Sequence, residues 1–514
     1  MMKKVAILPL DNRPCCYDFT ETFGKWGAVE LVQPPKDIIG GFTYFGDTSK
    51  IINWLLQVAP KVDGMILSID QLAYGGLIPS RIMERDMEEC MSIIGVVKEI
   101  REKYPHVVIY AVNVLMRISI TTKNKIFTQY WKQVFRYSQL YDRLHRLKET
   151  EVAEELKRLE EDIPSEVLQE YLQARNRNHQ MNLLMIDWIA DGTLDFLAIT
   201  QEDASAVGMH LMEQKSLVKK VYDMNIQRKV LVYPGADEAT QTLLARMVQY
   251  FEKEKVKIYP KYGSTSGKLL VAKFEDRPVE ESVISHITAA GAVVVDDSSE
   301  ADLILYVNTP VSGEKDGNNA SEEKAHFSSR HNLLYFIESI EFDLQKGKSV
   351  SVADISFPNA SDMELVQLLL TENIFFSLNA YAGWNTAGNT LGTCISQSII
   401  SILTYKKLGE QKVIEEQHHS FMMERLMDEW AYQANVRGKV NTDITKRLKI
   451  DGTNLEDKYE EVNKQVKEEL KPYFSKVISY LPKESREKNV WRLAVCELPW
   501  NRTFEVRIKV SKGS

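Results

Sequence analysis

Short apolar runs rich in β-branched residues alternate, through the first half of the chain, with longer stretches whose apolar positions follow a helical period. The runs VAILPL, VELVQP, GMILSI, VVIYAVNV, DFLAIT, KVLVYPG and VKIYP read as strands. Stretches such as TSKIINWLLQVAP, ECMSIIGVVKEIREKY and ATQTLLARMVQYFEKEK read as the helices between them. Several of the strands are apolar along their whole length, as burial on both faces of a parallel sheet requires. The pattern predicts an α/β fold, either a barrel-like (TIM-barrel) closure or a doubly wound parallel sheet; periodicity does not separate the two. Residues 125–180 break the rhythm with charged helical sequence, including YWKQVFRYSQLYDRLHRLKETEVAEELKRLEEDIP. This reads as an inserted helical hairpin with a solvated face, the alternative being a lid or a homodimerisation arm.

From residue 266 the α/β rhythm restarts. KLLVAKF, AVVVDD, DLILYVNTP, SVSVADISFP and IFFSLNA read as strands, with a helix at VEESVISHITAAG. The polar segment VSGEKDGNNASEEKAHFSSR reads as a long mobile loop. Beyond 402 the chain is charged and mostly helical, closing with two strand-like runs, RLAVCELPW and TFEVRIKV. The expected organisation is an α/β domain over 1–265, a second, smaller α/β unit over 266–400 and a mainly helical region over 401–514. No internal sequence repeat is evident.

Composition narrows the function classes. A chain of 514 residues, 44% apolar and 26% charged, is that of a multidomain globular protein. A net charge of −8 argues against nucleic acid as a partner. Apolar runs fall short of a membrane span, and the opening MMKKVAILPLDNRPCC reads as a first strand, not a signal peptide. Five cysteines without metal-type spacing point to a reduced, cytoplasmic setting. The adjacent Cys15 and Cys16 are expected to be buried behind the first strand, and the His418–His419 pair to lie on a helix surface. Walker loops, dinucleotide fingerprints and nucleophile elbows are not seen.

Ligands of parallel α/β folds sit beyond the carboxyl ends of the strands, so the residues following each apolar run carry the most information. They are unusually polar: Asp11, Asn12 and Arg13 after the first; Asp70, Gln71, Tyr74 and Arg81 after the third; Arg117 after the fourth; Gln201, Glu202, Asp203 and His210 after the fifth; Asp237 and Glu238 after the sixth. Asn308 and Asp354 follow later strands. Helix capping accounts for single acids in such places but not for the arginines. Two adjacent acids point different ways, and each raises the other's pKa, which suits a general acid at neutral pH. Glu202 or Asp203 is therefore the candidate acid/base, with Asp237 or Glu238 as the second carboxylate of a glycoside hydrolase. Further on, AYAGWNTAGNTLG forms a strand-to-helix turn. Trp384, Asn385, Thr386 and Asn389 there offer an aromatic plate with neutral donors and acceptors, suited to a sugar. The expected function is a hydrolase acting on a carbohydrate, working on a small-molecule or oligosaccharide substrate without a cofactor. Two alternatives stay open: a Mg²⁺- or Mn²⁺-dependent hydrolase, lyase or isomerase using Asp11, Asp70, Glu202, Asp203 and His210, or a non-catalytic sugar-binding protein.

Taken together, LPLDNRP, AYGGLIPSR, LMRIS, ITQEDASAVGMH, YPGADE and AYAGWNTAGNTLG resemble a family of bacterial proteins of about this length, a domain of unknown function (number 4127). The resemblance implies a stand-alone bacterial cytoplasmic protein and no particular reaction.

Overall fold

The computed structural model describes residues 2–42, 44–121, 124–310, 333–409 and 412–513. The expected mobile loop at 311–330 lies outside them. The chain forms two compact units: residues 1–12, 29–243 and 274–276 make the first, and residues 13–28, 244–273 and 277–514 the second.

Six parallel strands organise the first unit: β1 (Lys4–Leu8), β2 (Glu30–Val32), β3 (Gly64–Ser68), β4 (Val108–Leu115), β5 (Phe196–Gln201) and β6 (Val230–Pro234), in the order β2-β1-β3-β4-β5-β6. Register follows the apolar runs, with Ile7 opposite Ile66, Leu67 opposite Ala111 and Thr200 opposite Tyr233. Every residue of β3 and β5 is buried, as an apolar run covered on both faces must be. The sheet is open, with β2 and β6 at its edges, so the barrel alternative does not hold and the doubly wound one does.

The second unit repeats this plan on a smaller scale. β7 (Lys257–Tyr262), β8 (Val293–Val294), β9 (Leu303–Asn308), β10 (Val350–Asp354) and β11 (Ala380–Ala382) form a parallel sheet in the order β11-β10-β9-β7-β8. Counted within each sheet, both orders read 2-1-3-4-5, with a sixth strand added in the first. In each, the first strand lies between the second and the third, and ligands of doubly wound sheets sit where the order reverses in this way. The strand plan therefore repeats although no sequence repeat is evident.

Two predicted strands take other forms. In KLLVAKF, Gly267–Leu269 is a 3₁₀ turn, Leu269 and Val271 are exposed, and Val271 makes only an isolated bridge to Pro278. In IFFSLNA, the chain turns through left-handed Asn373 (φ 57°) into a 3₁₀ turn over Phe375–Ser377 that buries both phenylalanines. Only Ala380–Ala382 is left to pair with β10.

The insertion in the first unit comprises helices Lys125–Gln129, Trp131–His145, Ala153–Asp162 and Ser165–Ala190. They share an apolar cluster that includes Val134, Tyr137, Leu140, Leu156 and Val167. In the second unit, helices beyond Lys412 and the antiparallel pair β12 (Val490–Glu497) and β13 (Arg507–Gly513) complete one core, in which Val352, Leu369 and Phe375 join Met427, Trp430 and Leu470. The span Leu426–Val436 within it is a π-helix. His418 and His419, expected on the surface, are buried; His418 Nε2 lies 2.9 Å from the carbonyl oxygen of Leu378. Cys15 and Cys16 are buried as expected.

Candidate functional site

At the carboxyl edge of the first sheet, three adjacent strand ends bring charged groups together. Asp70 lies in the short helix Ile69–Tyr74 that follows β3 directly, and its Oδ2 accepts the N–H of Val114 on β4 (2.9 Å). Burial raises its pKa to about 7, with a further push from Glu202 and opposing pulls from the Val114 bond and Arg81. Arg81, on the 3₁₀ turn Pro79–Arg81, forms an ion pair with Glu202 just past β5. Burial, with Arg117 nearby, lowers the Arg81 pKa to about 10. Arg117, just past β4, donates to Asp203 Oδ2 (3.3 Å).

Asp203 holds a left-handed backbone (φ 42°), a conformation that an aspartate adopts at some cost. Its side chain is 38% exposed, yet enough protein surrounds the carboxyl that desolvation raises its pKa. The charge of Glu202 adds to the rise, while Arg117 and Arg81 offset part of it. Adjacent carboxyls thus differ: Glu202 pairs with the buried Arg81 guanidinium, while Asp203 meets solvent, pairs with Arg117 and has its pKa raised by desolvation.

On the neighbouring strand the second acidic pair also divides. Gln201, the last residue of β5, is in register with Pro234 at the end of β6, so Asp203 and Asp237 follow adjacent strand ends. Glu238 turns back to accept the N–H of Ala236 (3.0 Å), and left-handed Gly235 (φ 131°) leaves no room for a Cβ beside that carboxylate. Both Asp237 and Glu238 are buried.

The remaining candidates fall into two groups. Asp11 and Asn12 belong to the first unit; Asp11 is buried, and the Asn12 amide donates to the Tyr44 hydroxyl. Tyr74 is buried beneath the Arg177 guanidinium, 4.3 Å from the ring centre. His210 is buried, with Nε2 3.0 Å from the Ser205 carbonyl oxygen; burial, with Arg175 adding, lowers its pKa to about 4. Among the described residues, no group of three or more His, Cys, Asp or Glu side chains is arranged to hold a metal ion, and the set proposed for Mg²⁺ or Mn²⁺ is not brought together as one.

Arg13, Trp384, Asn385, Thr386 and Asn389 belong to the second unit. Arg13 lies over the Trp500 ring (4.9 Å) and 3.7 Å from Glu505. Thr386 caps the long helix Ala387–Leu408 by accepting the N–H of Asn389 (3.3 Å), and left-handed Asn385 (φ 68°) makes the turn before it. The ring of Trp384 lies 5.7 Å from that of Phe504.

At the strand ends of this second sheet, Asp354 accepts from the Asn308 amide (2.8 Å), the Tyr381 hydroxyl (2.9 Å) and the Asp362 N–H (2.6 Å). Burial and the Asp362 charge raise its pKa. Glu429, on the π-helix, accepts the N–H of Gly383 (2.8 Å) and pairs with Arg425 (3.0 Å). Burial raises its pKa to about 8, against the pull of Arg425.

Sequence reasoning missed the groups that hold these loops. Arg175 donates to the carbonyls of Arg117 and Met116 (both 2.9 Å). Arg177 donates to those of Arg85 (2.8 Å), Ile82 (3.2 Å) and Ser80. The insertion helix therefore positions the segments that carry Arg117 and Arg81. The available signal was polar residues on an apolar stripe: Arg175, Asn178 and Asn182 share the buried face with Tyr171, Met181 and Met185.

No curated protein matches the chain. The family model described as "Protein of unknown function (DUF4127)" matches residues 5–509, nearly its whole length, and the chain belongs to that family.

Proposed function

We propose that the chain is a hydrolase acting on a carbohydrate, with its reacting carboxyls at the ends of β5 and β6. The observation that carries this reading is the contrast between Glu202 and Asp203: one ion-paired to buried Arg81, the other partly exposed with a raised pKa. Titratable neighbours whose environments pull them apart mark acid and base roles. Asp203 is assigned as general acid, protonating the leaving oxygen of a glycosidic bond. Desolvation first, and the Glu202 charge second, raise the Asp203 pKa and so favour that role. Asp237, which follows the strand end adjacent to that of Asp203, is assigned as the second carboxylate, acting on the sugar or on a water as that bond breaks.

The test is turnover of a panel of nitrophenyl glycosides, N-acetylhexosaminides included. At least one should be cleaved, and EDTA should leave the rate unchanged because the assigned chemistry needs only carboxyls. Asp203→Asn and Asp237→Asn should each lower kcat on that substrate by about 10²–10⁴, and Glu238→Gln should act chiefly on stability. Silence across the panel, or full activity in both Asn variants, would remove the basis of the reading.

A further inference from the structure

The strand ends of the second sheet contain buried polar atoms for which the described residues supply no hydrogen-bond partner. Asn308 ends β9 and Thr309 follows it; Ser356 follows β10; Trp384 follows β11. Their relative exposures are 0%, 0%, 5% and 7%. The Asn308 amide nitrogen is spent on Asp354 and Asp362, but its Oδ1 accepts nothing. Thr309 Oγ1, Ser356 Oγ and Trp384 Nε1 likewise make no hydrogen bond among the described residues. Folded proteins satisfy the large majority of such atoms with protein groups or ordered water, so four of them on three adjacent strand ends mark a place where water or a ligand completes the hydrogen bonding.

Topology points to one end of this row, the carboxyl end of β9. β7 lies between β8 and β9, so the strand order reverses beside the carboxyl ends of β7 and β9, where doubly wound sheets take their ligands. Gly267, in the segment after β7, comes so close to Thr309 that a Cβ would collide with its Oγ1. A glycine at that point lets the two strand-end segments approach.

The chemistry of the four atoms selects the ligand class. An amide oxygen accepts, an indole N–H donates, and two hydroxyls do either, which matches sugar hydroxyls that also do both. Asp354 and Asp362 beside Asn308 repel a phosphate or carboxylate.

We infer that the carboxyl ends of β9, β10 and β11 form a binding site for a neutral polyhydroxylated ligand of monosaccharide class. The site lies in the second unit and requires no turnover, so it stands or falls separately from the hydrolase assignment.

The experiment is calorimetric titration and thermal shift of the full chain with glucose, N-acetylglucosamine and ribose, with inorganic phosphate as the anionic probe. One of the sugars should bind saturably. Thr309→Val and Ser356→Ala should each weaken it by about tenfold or more, since each removes one hydrogen bond to the ligand. Both variants keep Asp203 and Asp237, so binding there cannot explain such a loss. Without ligand, the two variants should melt at the wild-type temperature or above it, because each deletes a buried group that had no partner. No sugar binding, equal affinity in the variants, or binding of phosphate alone would overturn the inference. A lower melting temperature for both unliganded variants would also overturn it, by showing that bound water already satisfies these hydroxyls.

Discussion

Asp70, Glu202 and Asp203 sit within two residues of a strand end, so their positions follow from local sequence. An apolar run that stops at an acid places that acid at the sheet edge whatever the rest of the chain does. Their environments do not follow locally, because Arg81 is 121 residues from Glu202 and Arg117 is 86 from Asp203. The sequence shows that arginines gather near this edge, but not which carboxylate each one meets. Asp70 yields a prediction at this scale. Folding raises its pKa from 3.8 to about 7, so the folded state holds the proton more tightly than the unfolded chain. Its contribution is full below about pH 4 and is lost as pH rises towards 7, a swing of up to about 4 kcal/mol. Urea denaturation of wild type and Asp70→Asn across that window should therefore give a stability difference that moves in favour of the Asn variant as pH rises. A constant difference would refute the buried, proton-holding role.

The helices that hold the site were legible as helices, from their period, but not as supports. Expectation placed the insertion's charge on a solvated face, and Glu154 with Arg158 fits that. Arg175 and Arg177 instead turn inward and spend their donors on backbone carbonyls that carry Arg117 and Arg81. Arg177→Met would remove a donor from the Ile82, Arg85 and Ser80 carbonyls, of which Ser80 keeps the Asn178 amide, at a cost of about 2 kcal/mol. It should lower kcat more than it raises KM, if the segment bearing Arg81 is fixed this way; an unchanged kcat would show that the segment holds its place without Arg177. The π-helix was not legible at all, since no simple period announces the extra residue per turn, and such turns recur at functional sites. It aims Glu429 at Gly383, and the pKa near 8 means that the carboxyl is mostly protonated at pH 7. Glu429→Gln keeps one acceptor of the two and should cost about 1–2 kcal/mol at that pH, and Glu429→Ala about 2–3. Equal losses in denaturant titrations would contradict a neutral Glu429.

At the scale of the molecule, the α/β class was legible because each buried strand is apolar on both faces, and an alternation of such runs with helices has few architectures open to it. Strand order was not, because it depends on which distant runs pair, and β8 contributes only two residues of signal. The repeated 2-1-3-4-5 order is accordingly invisible in sequence, although it decides which strand ends adjoin: β5 beside β6 in one unit, β10 between β9 and β11 in the other. Asp203 is proposed to give a proton to a departing sugar oxygen. The most direct test of this compares Asp203→Asn with wild type on glycosides of one sugar whose leaving groups range from dinitrophenol to an unactivated alcohol. A general acid matters least when the leaving group needs no proton. A loss below about tenfold is expected for the dinitrophenyl substrate and about 10³ or more for the alkyl glycoside; an equal loss on both, or none on either, would rule out Asp203 as the general acid.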